Sequence, residues 1–155
     1  MSTTPVPDPL ETAVVGRRVG QFIVDWLIIA VVNGLLLSLF LLSPTEADGA
    51  IDSSAPGFWL ILVVAIVGAI LWPLYVWVLR PMRNDGQTFG MSMLELQVVS
   101  LDGSAASGGK LFVRALLLVV DVGITPLVGL LTMLITNRNQ RVGDLVAGTI
   151  VRRVA

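Results

Sequence analysis

The sequence predicts an all-α membrane protein with two transmembrane helices and a third, bent or hairpin-like helical segment in the membrane. Hydrophobic residues make up 55% of the chain and charged residues only 14%, against roughly 25% charged in soluble domains. Long apolar runs cover residues 22–42, 58–79 and 111–136. A soluble core of this size could not bury so much apolar surface, so lipid must cover much of it.

The first apolar run, residues 22–42, would span about 31 Å as a helix, which is enough to cross a bilayer. A signal peptide is the competing interpretation, but its apolar core would be only about 7–15 residues, and no small-residue cleavage site follows Leu42. We therefore expect a retained transmembrane helix. The proline-containing residues 1–16 are expected to form a disordered cytoplasmic tail, and residues 17–155 the membrane domain.

The second run, residues 58–79, has no charged residue and contains Pro73, which is expected to kink the helix near its end. The loop before it, residues 43–57, has acidic residues but no Lys or Arg. Basic pairs lie at the opposite ends of both runs, Arg17 with Arg18 and Arg80 with Arg83. Because basic residues concentrate on the cytoplasmic side, we expect the N-terminus in the cytoplasm and the first loop outside.

The third run, residues 111–136, contains a glycine- and proline-rich break around Pro126. One straight crossing would export a C-terminal tail rich in arginine, which the same charge rule disfavours. We therefore expect a helical hairpin that enters the membrane and returns. Two strand-like stretches, 94–99 and 148–152, would then share the cytoplasmic face, where they could form a short β-pair.

Composition excludes several kinds of chemistry. The chain has no cysteine and no histidine, which rules out disulfides, thiol catalysis and histidine-based metal or proton chemistry. Its net charge of −1, with scattered basic residues, gives no nucleic-acid signature. Residues 86–90 lack the Lys-Ser/Thr of a phosphate loop. We expect no enzymatic activity, no cofactor and no metal site.

Three motifs stand in order along the chain. They are RRVGQFIVD at residues 17–25, DGQTFG at 85–90 followed by LELQVVSLDG, and NQRVGDLVAGTIV at 139–151. Together they resemble the RDD family of bacterial membrane proteins, which is named for one arginine and two aspartates. The name-giving residues map to Arg18, Asp25 and Asp144, and the turn motif to Gly86, Gln87, Thr88 and Gly90. The resemblance implies a multi-pass protein of the bacterial inner membrane and brings no agreed molecular function, although transport is suggested.

Arg18 and Asp25 are seven residues apart, so they lie on one helix face about 10 Å apart along the axis. Gln21 lies between them and Asn33 lies about 60° off the same face, so these residues form a polar stripe. A charge that faces lipid costs at least about 2.5–3.5 kcal/mol, so this polar stripe should face protein. Asp25 is therefore expected to be protonated or paired with an arginine. The candidate partners are Arg80, Arg83 and Arg114. Asp25 is then either an ion or proton site or, as the nearby arginines favour, a structural pair.

Two further aspartates need explanation. Asp121 follows Arg114 by the same seven residues and lies beside the helix break, where freed carbonyls can form an ion site, although coincidence explains the spacing more simply. Asp144 is expected to form a cytoplasmic salt bridge with Arg141, Arg83 or Arg18. The segment after the turn motif is expected to rest Phe89, Met91, Met93 and Leu94 on the membrane surface.

Two functions follow from these features. The first is an accessory or assembly subunit that binds another membrane protein through the polar stripe. The second is an oligomeric transporter component that moves a cation or proton through intramembrane aspartates. Three or four short membrane elements can scarcely enclose a pathway alone. The transport function therefore predicts a homo-oligomer, and the accessory function predicts a different partner in fixed stoichiometry.

Overall fold

The computed structural model describes residues 14–123 and 126–154, without the side chains of residues 119–126. The described chain is mostly helical and forms two compact units, a terminal unit (residues 14–25 and 76–154) and a central unit (Trp26–Tyr75). The elements are α1 (Val15–Ser38), a 3₁₀-helix (Leu39–Leu42), α2 (Pro56–Leu74), a π-helix (Tyr75–Leu79), α3 (Arg80–Arg83), α4 (Phe89–Met93), β1 (Leu96–Ser100), α5 (Gly108–Gly123), α6 (Pro126–Ile135), α7 (Val142–Ala147) and β2 (Thr149–Arg153).

Two helical stretches among the described residues are long and apolar enough to cross a membrane. They are Val15–Leu42 and Pro56–Arg83, with hydropathies of 2.3 and 2.5. Both predicted runs are therefore helical, and each helix extends beyond the predicted limits. The predicted tail at residues 1–16 lies mostly outside the described residues. Val14, the first described residue, is buried, and α1 begins at Val15.

The central unit carries most of the apolar surface that suits a lipid environment. Large side chains along both of its helices are exposed, among them Leu27, Val31, Leu35, Leu60 and Val63. Pro73 lies inside α2, and a π-helix begins two residues later at Tyr75. Because proline removes a main-chain donor, such a local change of helix type lets neighbouring groups find partners again. The helix therefore changes type close to Pro73, and the kink expected there stays a prediction.

The terminal unit has a small apolar core built from several short elements. Its buried members are Val14, Met91, Leu96, Val98, Leu111 and Val151. The position of Met91 corrects the expectation that this side chain rests on a membrane surface. Its exposed fraction is only 1%, because α4 turns it inward toward β1.

The two strands of the terminal unit pair in antiparallel fashion, so the predicted β-pair is confirmed. Leu96 lies opposite Arg153, and Ser100 lies opposite Thr149. The strands begin and end slightly later than the predicted stretches. The pair brings the segment after the turn motif together with the C-terminal end of the chain.

The third apolar run contains two separate helices, α5 and α6, which pack against each other. Helix α5 also packs closely against α7. Residues 124 and 125, between α5 and α6, are outside the described residues. Both α6 and α7 therefore pack against α5.

The turn at Gly86 joins α3 to α4 and contacts β1. Its main chain has a φ of +78°, and a Cβ atom there would lie 2.6 Å from the carbonyl oxygen of Val98. The Gly86 N–H donates to the Pro81 carbonyl at 2.8 Å, and its carbonyl accepts from the Val98 N–H at 3.4 Å. Only glycine combines this left-handed conformation with so close an approach to a strand.

The substitution Gly86→Ala should therefore destabilise the protein by about 1–3 kcal/mol, since it adds both backbone strain and a main-chain clash. Thermal unfolding of protein reconstituted in lipid nanodiscs measures the effect. Gly109→Ala is the matched control, because a Cβ at Gly109 meets nothing within 4 Å. The control should be neutral or slightly stabilising, and an equal loss in both variants would refute the explanation.

Candidate functional site

Asp144 is the centre of a buried charge cluster in the terminal unit. Its side chain is fully buried, as is that of Arg18, which donates from Nη2 to Asp144 Oδ2. On the other side, Arg114 Nε lies 2.8 Å from Asp144 Oδ1, with 15% of the Arg114 side chain exposed. One carboxylate thus ties together α1, α5 and α7.

The start of α7 is shaped to hold this carboxylate. Asp144 is the third residue of the helix, and its Oδ2 accepts from the Arg141 main-chain N–H at 3.1 Å, as in a capping box. A Cβ at Gly143 would lie 3.0 Å from the Arg114 carbonyl oxygen. The absence of a side chain at Gly143 lets α7 approach α5 closely enough for the ion pair to form.

Arg18 also fastens the segment before α7. Its Nη1 donates to the Asn139 carbonyl at 2.6 Å, and the Arg141 Nη2 donates back to the Arg18 carbonyl at 3.4 Å. Gln140 and Arg141 are buried, each with 8% exposed. Arg18 and its contacts therefore hold the approach to α7 against α1.

Opposing influences act on the pKa of Asp144. Burial raises it, but the guanidinium groups of Arg114 and Arg18 and the hydrogen bonds from Arg18 and Arg141 outweigh that effect. The pKa is consequently held well below its ordinary value. Asp144 therefore remains an anion at any physiological pH and compensates the buried charge of Arg18.

Asp25 is the centre of a second buried cluster. Its Oδ2 accepts from Gln21 Nε2 and from Thr88 Oγ1, each at 2.6 Å, and its Oδ1 accepts from the Gly90 N–H at 2.7 Å. The side chain is 1% exposed. Asp25 therefore attaches α1 to the start of α4.

The turn motif supplies these donors through its local geometry. Thr88 is the N-cap of α4, and its Oγ1 accepts from the Met91 N–H at 3.2 Å while donating to Asp25. A Cβ at Gly90 would lie 2.5 Å from the Gln21 carbonyl oxygen, so a glycine is needed where α4 meets α1. Gln87 Nε2 donates to the Leu96 carbonyl at 2.8 Å and so holds the turn on β1.

The structure separates the predicted site residues into these two clusters. Arg18, Arg114 and Asp144 belong to the first, and Asp25, Thr88 and Gly90 to the second. Arg80 instead donates to the Gln87 carbonyl at 3.0 Å and lies 3.8 Å from the centre of the Phe89 ring, while Arg83 is exposed. The side chain of Asp121 is outside the described part of the chain.

The structure corrects the expectation that an arginine is the partner of Asp25. The hydrogen bonds recorded for its carboxylate come from an amide, a hydroxyl and a main-chain N–H. Arg114, one of the proposed partners, contacts Asp144 instead. The reason is that α4 begins directly over Asp25, and its N-terminal donors occupy the carboxylate oxygens.

The roles of two residues were not predicted from the sequence. Gln21 lies four residues before Asp25, a spacing at which helix side chains meet, and this could have identified it as the amide donor. Arg141 was expected only as a candidate partner of Asp144, but it contributes its main-chain N–H. No sequence signal reveals that contact, because it depends on where α7 begins.

Comparison with protein-family models finds the RDD family over residues 12–148, which includes all the residues of both clusters. Searches among curated proteins and among solved structures found no match.

A double-mutant cycle tests the central ion pair. Arg18→Met or Asp144→Asn should each destabilise the protein by about 3–5 kcal/mol, because each leaves a buried charge without its main partner. The double variant should lose clearly less than the sum, with a coupling of about 1–3 kcal/mol. Thermal or denaturant unfolding in nanodiscs provides the values. The exposed Arg153–Glu95 pair is the control, and Arg153→Met with Glu95→Gln should show little coupling.

Stability should also depend on pH through Asp144. Because its pKa is lower in the folded than in the unfolded state, its contribution is complete above the unfolded value of about 4 and is lost as pH falls below it. The stability of the unmodified protein should fall there by up to about 1.4 kcal/mol per pH unit more steeply than that of Asp144→Asn. The prediction would be contradicted if the free energies of unfolding of the two proteins changed in parallel between pH 6 and pH 3.

Proposed function

Because the chain belongs to the RDD family, we propose that it acts as a non-enzymatic accessory or assembly subunit of a complex in the bacterial inner membrane. The observation that carries the proposal is the use of the name-giving residues inside the protein. Arg18, Asp25 and Asp144 are buried, and all three bind other segments of the same chain. Their common role in this geometry is to build the terminal unit.

The same observation weighs against a transport site at Asp25. A carrier carboxylate has to exchange its ligands for the transported ion, but three protein donors occupy the oxygens of Asp25. Releasing the donors that come from the start of α4 would require α1 and α4 to separate in every transport cycle. A structural role requires no such opening. The transport alternative therefore lacks support from the geometry of this site.

Charge distribution supports a specific topology within this proposal. Residues 43–57 carry no basic residue, while Arg17, Arg80 and Arg83 lie at the other ends of the two long helices. We place those arginines and the β-pair in the cytoplasm, with residues 43–57 outside. Helices α5 and α6 would then form a hairpin that enters the membrane and returns, since they pack against each other.

Partner binding would use the part of α1 that lies in the central unit. The polar stripe cannot serve as a whole, because Gln21 and Asp25 are buried in the terminal unit. Asn33 remains, half-buried near the middle of the first candidate span, and its Oδ1 is buried without a hydrogen-bond partner among the described residues. An amide at this depth is favoured when it bonds to another helix, and rotation of the amide would present either polar atom to that helix.

Native mass spectrometry of the complex, extracted gently from its own membrane, tests this function. We expect a companion protein in fixed stoichiometry, and Asn33→Leu should reduce its recovery several-fold without altering the fold. Ser38→Ala is the matched control, because Ser38 also lies on α1 but its hydroxyl already donates to the Leu35 carbonyl. A homo-oligomer without a companion would contradict the accessory function and favour the transport alternative.

A further inference from the structure

A small cavity of about 40 Å³ lies within the terminal unit, between the two buried clusters. Its polar lining comes from Gln21 and Thr88 of the Asp25 cluster and from Arg114, Arg141 and Asp144 of the other. Apolar side chains, including those of Ala115 and Leu118, complete the wall. Residues of both clusters therefore line the same partly open cavity.

Two acceptor atoms of the residues that line this cavity are incompletely satisfied. Gln21 Oε1 is buried and has no hydrogen-bond donor among the described residues. Asp144 Oδ1 likewise has no hydrogen bond there, although Arg114 Nε lies 2.8 Å away. An unsatisfied buried polar atom costs about 1–3 kcal/mol, so native structures normally supply a partner.

The orientation of the Gln21 amide does not remove this requirement. Its Nε2 lies 2.6 Å from Asp25 Oδ2, where an oxygen atom would be repelled by the carboxylate, so Oε1 is the atom left over. If the amide were reversed, its NH₂ group would be left over instead. The occupant of the cavity must therefore be small and able to donate as well as accept.

Charge and size restrict the occupant further. A bare anion cannot donate to either acceptor, and a cation would approach the guanidinium groups of Arg114 and Arg141, which line the same cavity. An apolar group would leave both acceptors unsatisfied. A water molecule needs roughly 10–15 Å³ of such volume, so the cavity has room for about three.

We propose that this cavity is a binding site for ordered water, which donates to Gln21 Oε1 and Asp144 Oδ1. The water joins the Asp25 and Asp144 clusters into one continuous hydrogen-bond network. The ordered water would then link helix α1 to α4 on one side and to α7 on the other. Buried water of this kind is part of the structure, because each molecule typically makes about three hydrogen bonds to protein groups.

Two substitutions of equal volume at Ala115 distinguish a wet cavity from a dry one. Valine and threonine fill the same space, but the threonine hydroxyl can replace a hydrogen bond of the displaced water. We expect Ala115→Thr to unfold several degrees above Ala115→Val in nanodiscs. Val113→Thr is the control on the same helix, since Val113 does not line the cavity. There the hydroxyl should lower the unfolding temperature.

An unfolding temperature of Ala115→Val equal to or above that of Ala115→Thr would overturn the proposal, because a dry cavity prefers the apolar side chain. If neither variant folds, water-edited solid-state NMR of the unmodified protein in bilayers decides the question. The Gln21 side-chain amide should receive magnetisation from water at least as fast as that of Gln140. Gln140 is similarly buried, donates to the Thr149 carbonyl and lines a separate, open surface pocket, so it shows the rate of a side chain that outside water can reach. Much slower transfer to Gln21 than to Gln140 would refute the water site.

Discussion

The terminal unit depends on the burial of Arg18. A guanidinium group removed from water is costly unless a carboxylate and further acceptors surround it. Asp144 and the Asn139 carbonyl provide this environment, but only if α7 lies against α1. The second arginine on Asp144, Arg114, in turn requires α5 to lie on the other side. Two arginines on one carboxylate thus determine which helices are neighbours.

The glycines of the motifs can be understood from this constraint. A Cβ atom at Gly90 would lie 2.5 Å from the Gln21 carbonyl oxygen, and one at Gly143 would lie 3.0 Å from the Arg114 carbonyl oxygen, so glycine lets both pairs of helices approach without a shift of the main chain. The motifs therefore combine a polar group with a small neighbour, Thr88 with Gly90 and Asp144 with Gly143. Each of these polar contacts between helices thus has a glycine beside it that lets the two main chains approach closely.

The fold class followed from composition and the length of the apolar runs, because a bilayer imposes both. The strand pair was also predictable from alternation at residues 94–99. Less predictable was the partner of Asp25, for which the nearest arginines were the natural expectation. The three donors that it has instead belong to the cap of α4 and to Gln21, and the position of that cap depends on how the turn at Gly86 folds.

The sequence by itself determined that the chain has two helices able to span a membrane, a third interrupted apolar segment and three polar motifs, because hydropathy and helix length are local properties. Tertiary structure alone decided that Arg18 meets Asp144 and that Asp25 meets the turn motif. Arg18 and Asp144 are 126 positions apart in the sequence, and Asp25 and Gly90 are 65 positions apart. No local pattern specifies such pairs, because buried charges select their partners only when the helices assemble.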